Sequence, residues 1–123
     1  HPTLAGQWTS DTTAIEHNGY TRGPRYYMSH YERGVTILDV SDPLVPAEVA
    51  RFDTFPGADV AEFHGTWGIY PYLPSGTILA SNIDGAAGLF VLSVTPAVPR
   101  EPVTPPAPRR HAPVRVDGPR PIP

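Results

Sequence analysis

Two stretches of this chain are versions of one another, and that repeat constrains the fold more than any single motif does. When SHYERGVTILDVSDP (Ser29 to Pro43) is set over SNIDGAAGLFVLSVTP (Ser81 to Pro96), a Ser, an acidic residue after two positions, a Gly, four alternating apolar positions and a closing Pro fall in register. Upstream, EHNGY (Glu16 to Tyr20) sits over FHGTW (Phe63 to Trp67), which places His17 over His64. The period is about 47 to 54 residues, the size of a four-stranded propeller blade. In the first unit Val35, Ile37 and Asp39 share one face of a strand and Thr36, Leu38 and Val40 the other; in the second, Leu89, Val91 and Ser93 oppose Phe90, Leu92 and Val94. Both faces are largely apolar. A sheet of this kind cannot cover both faces alone, so the units must stack face to face.

Val, Ile, Tyr, Phe, Trp and Thr gather in short runs between Gly, Pro, Asp and Asn, and no segment sustains a helical period. The pattern predicts strands over Gly6 to Thr9, Thr13 to Tyr20, Arg25 to Tyr31, Val35 to Val40, Ala47 to Thr54, Gly65 to Tyr70, Thr77 to Ile83 and Leu89 to Val94. That density implies an all-β fold of four-stranded antiparallel meanders, which we read as β-propeller blades in an incomplete propeller. Pro43, Pro46, Pro71 and Pro74 punctuate turns, where no ladder donor is needed.

Composition divides the 123 residues into a folding body, 1–94, and a tail, 95–123, that holds 10 of the 17 prolines and no run able to pack, so the tail is expected to be disordered. Charge divides at the same place. Five Arg against Glu101 and Asp117 give the tail +3; Arg22, Arg25, Arg33 and Arg51 against ten carboxylates give the body −6, which sums to the chain's −3. An acidic body argues against a nucleic-acid groove, whose phosphates need clustered cations. The absence of cysteine excludes disulfides, zinc ribbons and thiol catalysis. No run approaches the roughly 20 apolar residues of a membrane span. The first residue is His1, and the chain reads as a fragment of a longer protein.

The residues RGVTILDVSDPLVPAEVARFDTFP, followed by GTWGIYPYLPSGTILASNIDGAAGLFVL, resemble the LVIVD-repeat propellers of the choice-of-anchor B group, mostly bacterial proteins that are secreted or held at the cell surface. In that group a blade of the form G(L/V)xILDxSDPxxPxxVxxxDT recurs, and the last blade carries WGVYPxLPSG and a GLFVL ending; WGIYPYLPSG and GLFVL are the specific part here. The resemblance runs from about Leu4 to Val94, with Trp8 and Thr9 closing a preceding blade, and it implies a propeller rather than an activity. A closed propeller takes at least about four blades. The two units here therefore imply a C-terminal portion whose partners are the remaining blades of its parent chain. The tail shows no sorting signal and no terminal apolar helix of the kind that anchors this group.

The expected function is a non-enzymatic surface or secreted scaffold or binding module. Its rival is a metal-dependent hydrolase or oxidoreductase in which His17 and His64, at the starts of successive inner strands, line a channel and hold a divalent metal ion; neutral imidazole suits such ions, and Glu16, Asp59 and Glu62 are the carboxylates nearest in sequence. His30 is matched by Asn82 in the repeat, which implies a hydrogen bond to a loop. Asp39, Asp42 and Asp84 read as turn caps and not as a calcium loop. No nucleophile elbow is present, and the Ser–Asp and Ser–His neighbours do not make a triad. Trp67 and Tyr72 are the candidate contacts for a protein or saccharide ligand, because the aromatics concentrate in the inner strands and their loops.

Overall fold

The computed structural model describes residues 1–84 and 88–94. Strands β1 (Asn18–Arg22), β2 (Arg25–His30), β3 (Gly34–Asp39) and β4 (Ala47–Phe52) form one antiparallel sheet in chain order, and β5 (Thr66–Tyr70), β6 (Ile78–Asn82) and β7 (Leu89–Leu92) form a second. No helix occurs among the described residues. The fold is all-β, two antiparallel sheets of four and three strands.

Local chemistry sets the hairpins. Gly23, at φ 56°, and Pro24 make the two-residue turn between β1 and β2. Gly34 opens β3 at φ 87°, a conformation that a side chain disfavours, and an added Cβ would press on the backbone carbonyl of Phe52. Between β3 and β4, Asp39 accepts the amide of Ser41 at 2.9 Å and Asp42 accepts that of Leu44 at 2.9 Å, the turn-capping role predicted for both. Val49 is left out of the β3–β4 pairing as the extra residue of a bulge.

The ladder confirms the repeat for the second and third strands of each sheet. Ser29 pairs with Val35 and Tyr27 with Ile37, while Ser81 pairs with Leu89 and Leu79 with Val91. Val35 and Ile37 therefore correspond to Leu89 and Val91, and Thr36 and Leu38 to Phe90 and Leu92. The two sheets meet through unlike faces. Tyr27, Val35 and Ile37 of the first pack on Ile69, Ile78 and Ala80 of the second, with Ala50, Phe90, Leu92 and Val94 at the border. Burying several such side chains, at about 1.5–3 kcal/mol each, is the main apolar term joining the sheets.

The opposite face of the first sheet, with Met28, His30, Thr36 and Leu38, is also buried. Trp8 and Ala14 lie against it at His30, and residues 1–17 form no strand, contrary to the strands expected over Gly6 to Thr9 and at the start of Thr13 to Tyr20. The reason lies in the hydrogen bonding: the Ala14 carbonyl accepts from the His30 ring, not from a neighbouring strand, and Trp8 meets that ring edge-on at 6.2 Å. The outward face of the second sheet, which corresponds to the Val35 and Ile37 face of the first, remains open, with Leu89 and Val91 62% and 66% exposed. Among the described residues that sheet has three strands, against the four predicted per unit. The tail expected to be disordered lies outside the described residues.

Gly34→Ala should destabilise the chain by more than the about 1–2 kcal/mol that a left-handed non-glycine residue costs, because the Cβ also meets backbone. Urea unfolding of the variant would measure it.

Candidate functional site

Tyr31, between β2 and β3, sits at φ 31°, the only non-glycine residue with positive φ among the described residues. Its carbonyl oxygen accepts two amides, Gly34 at 3.0 Å within its own hairpin and Thr66 at 2.9 Å at the start of β5. A Tyr31–Thr66 bridge thus joins the two sheets through the backbone. Such sparsely populated backbone persists only where its surroundings over-determine it. The ring of Tyr31 is buried and collects three others: His17 at 5.1 Å, Phe63 at 5.3 Å and Trp67 at 6.1 Å between centroids.

His17 and Trp67 are in direct contact. Their rings stack at 4.1 Å, and His17 Nδ1–H donates to the Trp67 carbonyl at 2.9 Å, which fixes the tautomer and leaves Nε2 as the unprotonated nitrogen of the neutral ring. The outer members of the cluster reach solvent, with Trp67 46% and Phe63 63% exposed. A half-exposed indole backed by an imidazole is a flat apolar surface with polar groups at its rim, suited to stacking on a sugar or an aliphatic side chain.

Tyr72 lies in a second aromatic group. Its ring is edge-on to Tyr20 and Tyr70, and its hydroxyl donates to the Thr21 carbonyl at 2.6 Å. Arg22 reaches the same loop, donating to the Pro71 carbonyl at 2.7 Å. Tyr72 therefore ties the β5–β6 loop back to β1, while Trp67 keeps its exposed face.

His64 is engaged elsewhere. Its Nδ1–H donates to Asp84 at 2.9 Å, and its ring stacks on Phe55 at 5.4 Å with planes 8° apart. The second oxygen of Asp84 accepts the Gly65 amide at 2.6 Å. The hydrogen bond to Asp84 raises the His64 pKa above its ordinary value. The Gly65 amide, and then His64, hold the Asp84 carboxyl below the usual carboxylate range.

The ladder also corrects the alignment of the two histidines. Asn18 pairs with Ser29 and Gly68 with Ser81, so His17 corresponds to the bulge at Thr66 and Trp67 and not to His64. Among the described residues no group of three or more His, Asp or Glu side chains is placed to hold a metal ion. The nearby carboxylates have other partners. Glu16 approaches His30 at 3.9 Å, and Asp59 faces Arg33 at 3.7 Å and Arg51 at 3.6 Å.

His30 and Asn82 do perform one task. His30 Nε2–H donates to the Ala14 carbonyl at 3.2 Å, and Asn82 donates to the Thr54 carbonyl at 2.9 Å, each holding the segment that leads into its own sheet. Burial lowers the pKa of His30 and keeps its ring neutral, with Nδ1 accepting from the Thr36 hydroxyl at 3.2 Å. The candidate serines are committed to local bonds: Ser29 donates to Asn18 and Ser41 to Asp39.

Sequence reasoning missed Arg33. Its buried guanidinium contacts Asp11 and pairs with Glu48 at 3.0 Å, joining the N-terminal segment, the β2–β3 hairpin and β4. Burial opposes its charge, but the hydrogen bonds it donates to Glu48 and Asp11 outweigh this and raise its pKa. An Arg outnumbered by carboxylates was legible in the composition, but its position at their centre was not.

Comparison with protein-family models, with curated proteins and with solved structures finds no match to this chain.

The His64–Asp84 pair carries a pH dependence of definite sign. The raised His64 pKa contributes stability that is fully present below the ordinary value of 6.5 and lost as pH rises through the folded value. The depressed Asp84 pKa contributes stability present above 3.8 and lost as pH falls through its own folded value. The pair is therefore strongest between those two ordinary values. NMR titration of the His64 ring should give a midpoint above 6.5 that falls back in Asp84→Asn.

Proposed function

We propose that this chain is a non-enzymatic scaffold or binding module of a secreted or cell-surface β-propeller, each sheet acting as a blade whose neighbours are the other blades of its parent chain. One observation supports this above the others. The face carrying Val35 and Ile37 is covered by the second sheet, whereas the corresponding face carrying Leu79, Leu89 and Val91 is open and apolar. The rule that seats sheet two on sheet one, applied again, seats a further sheet there. The exposed Trp67 and Phe63 beside Tyr31 give the module an aromatic surface for a protein or saccharide ligand. The metal-dependent enzyme gains no support from the partners that His17 and His64 hold.

Leu89→Glu with Val91→Glu provides the test. If the open face is a stacking surface, the 123-residue chain self-associates weakly at high concentration, and the double variant stays monomeric in sedimentation equilibrium with an unchanged far-UV CD spectrum. A parent chain in which the Leu89 and Val91 amides exchange as fast as in 1–123 would remove the blade reading.

A further inference from the structure

Trp67 and Phe63 stand on the ring of Tyr31 with their planes turned 69° and 76° from it, and His17 covers one face of the indole. Tyr31 is buried beneath them, while Trp67 and Phe63 stay exposed. The uncovered face of an indole is the best aromatic site for a cation, because the π system carries its negative charge there.

The charges of residues 1–94 divide unevenly around this surface. All four arginines there are engaged elsewhere: Arg22 donates to the Pro71 carbonyl, Arg25 pairs with Asp39, and Arg33 and Arg51 share Glu48 and Asp59. Asp11 is held by Arg33 and Asp84 by His64, while Asp42 and Asp53 cap turns. Among the described residues the carboxylates left without a charged partner are Glu16, Glu32 and Glu62. Each adjoins a member of the aromatic cluster in sequence, Glu16 next to His17, Glu32 to Tyr31 and Glu62 to Phe63. Glu16 lies 3.9 Å from the His30 ring, but burial keeps that ring neutral. Glu32 is buried and accepts the Val60 amide at 2.8 Å; Glu16 and Glu62 are exposed. Their field acts locally, since Glu32 and Glu62 add to the rise in the His64 pKa that Asp84 chiefly causes. An aromatic surface thus sits among carboxylates that lack a cation.

We propose that this surface receives an arginine side chain of a protein partner, its guanidinium laid on the uncovered face of Trp67 and its charge met by Glu16 and Glu62. The inference rests on the reading of this surface as a ligand site and narrows it to one chemistry. A guanidinium fits better than an ammonium, because it is planar and weakly hydrated and so can stack on a flat ring at little cost in lost water. A neutral sugar would gain the stacking and nothing from the carboxylates. A phosphate would be repelled by them.

The test uses the full 123-residue chain and the indole N–H resonance of Trp67, followed by NMR and told apart from that of Trp8 by its loss in Trp67→Phe. The probes are an acetylated Gly-Arg-Gly amide and its citrulline counterpart, whose urea has the guanidinium's shape without its charge. The arginine peptide should bind about fivefold or more tighter than the citrulline peptide. In Glu16→Gln with Glu62→Gln that preference should fall about threefold, with the citrulline affinity unchanged. Equal binding of the two peptides, or binding of methyl glucoside in place of both, would overturn the proposal and leave the ligand site standing. A preference that survives the double variant would overturn it by placing the charge elsewhere. If none of the three probes moves the Trp67 resonance, the ligand site falls as well.

Discussion

The carbonyl oxygen of Tyr31 fixes how the two sheets sit on each other. It accepts the Gly34 amide within the first sheet's own hairpin and the Thr66 amide at the start of the second, so one atom belongs to both backbones. This double role requires the left-handed φ of Tyr31, and the glycine at φ 87° after the hairpin lets the chain leave it into β3. From that point β5 crosses the first sheet, and the Ile69, Ile78 and Ala80 side chains reach Tyr27, Val35 and Ile37. The aromatic cluster is built on the same residue. Its position follows from the join, not from a separate device.

Buried polar groups in this protein work mainly as ties between segments. His30 and Asn82 each take the carbonyl of the chain leading into their sheet, Thr54 and Thr66 share a buried hydroxyl bond at 2.6 Å, and Arg33 gathers Asp11 and Glu48. Each would be costly left unpaired, about 1–3 kcal/mol for a neutral group, so each specifies an arrangement as well as stabilising it. Arg33 Nε and one oxygen of Asn82 are buried without a protein partner, and these two atoms carry the residual polar strain of the ties.

The third strand of each unit was legible because β3 and β7 follow a glycine with strict alternation, and a period of two leaves one reading of which residues share a face. His30 and Asn82 were legible for a related reason: both end the second strand, at a fixed distance from an aligned serine. The first strand was not. Identity aligns His17 with His64, but the ladder, which leaves no mark in composition, sets His17 with the bulge at Thr66 and Trp67 two to three residues further on. The N-terminal residues misled in another way. GQWT and TAIEH have strand-forming side chains, but strand formation needs a paired edge, and those residues spend their polar contacts on His30 and Arg33 instead. The exposure of Trp67 was also beyond reach, since it depends on how far the next sheet extends over β5.

The contact between the sheets is head to tail: one surface of a unit meets a different surface of the next. Assemblies joined in this way have no intrinsic stopping point, and grow until a rotation brings the last unit back to the first or until something caps a free end. On the side of the first sheet opposite the join, Trp8 and Ala14 of the N-terminal segment lie against His30. Among the described residues the outward face of the second sheet, with Leu89 and Val91, is the uncovered surface of this kind.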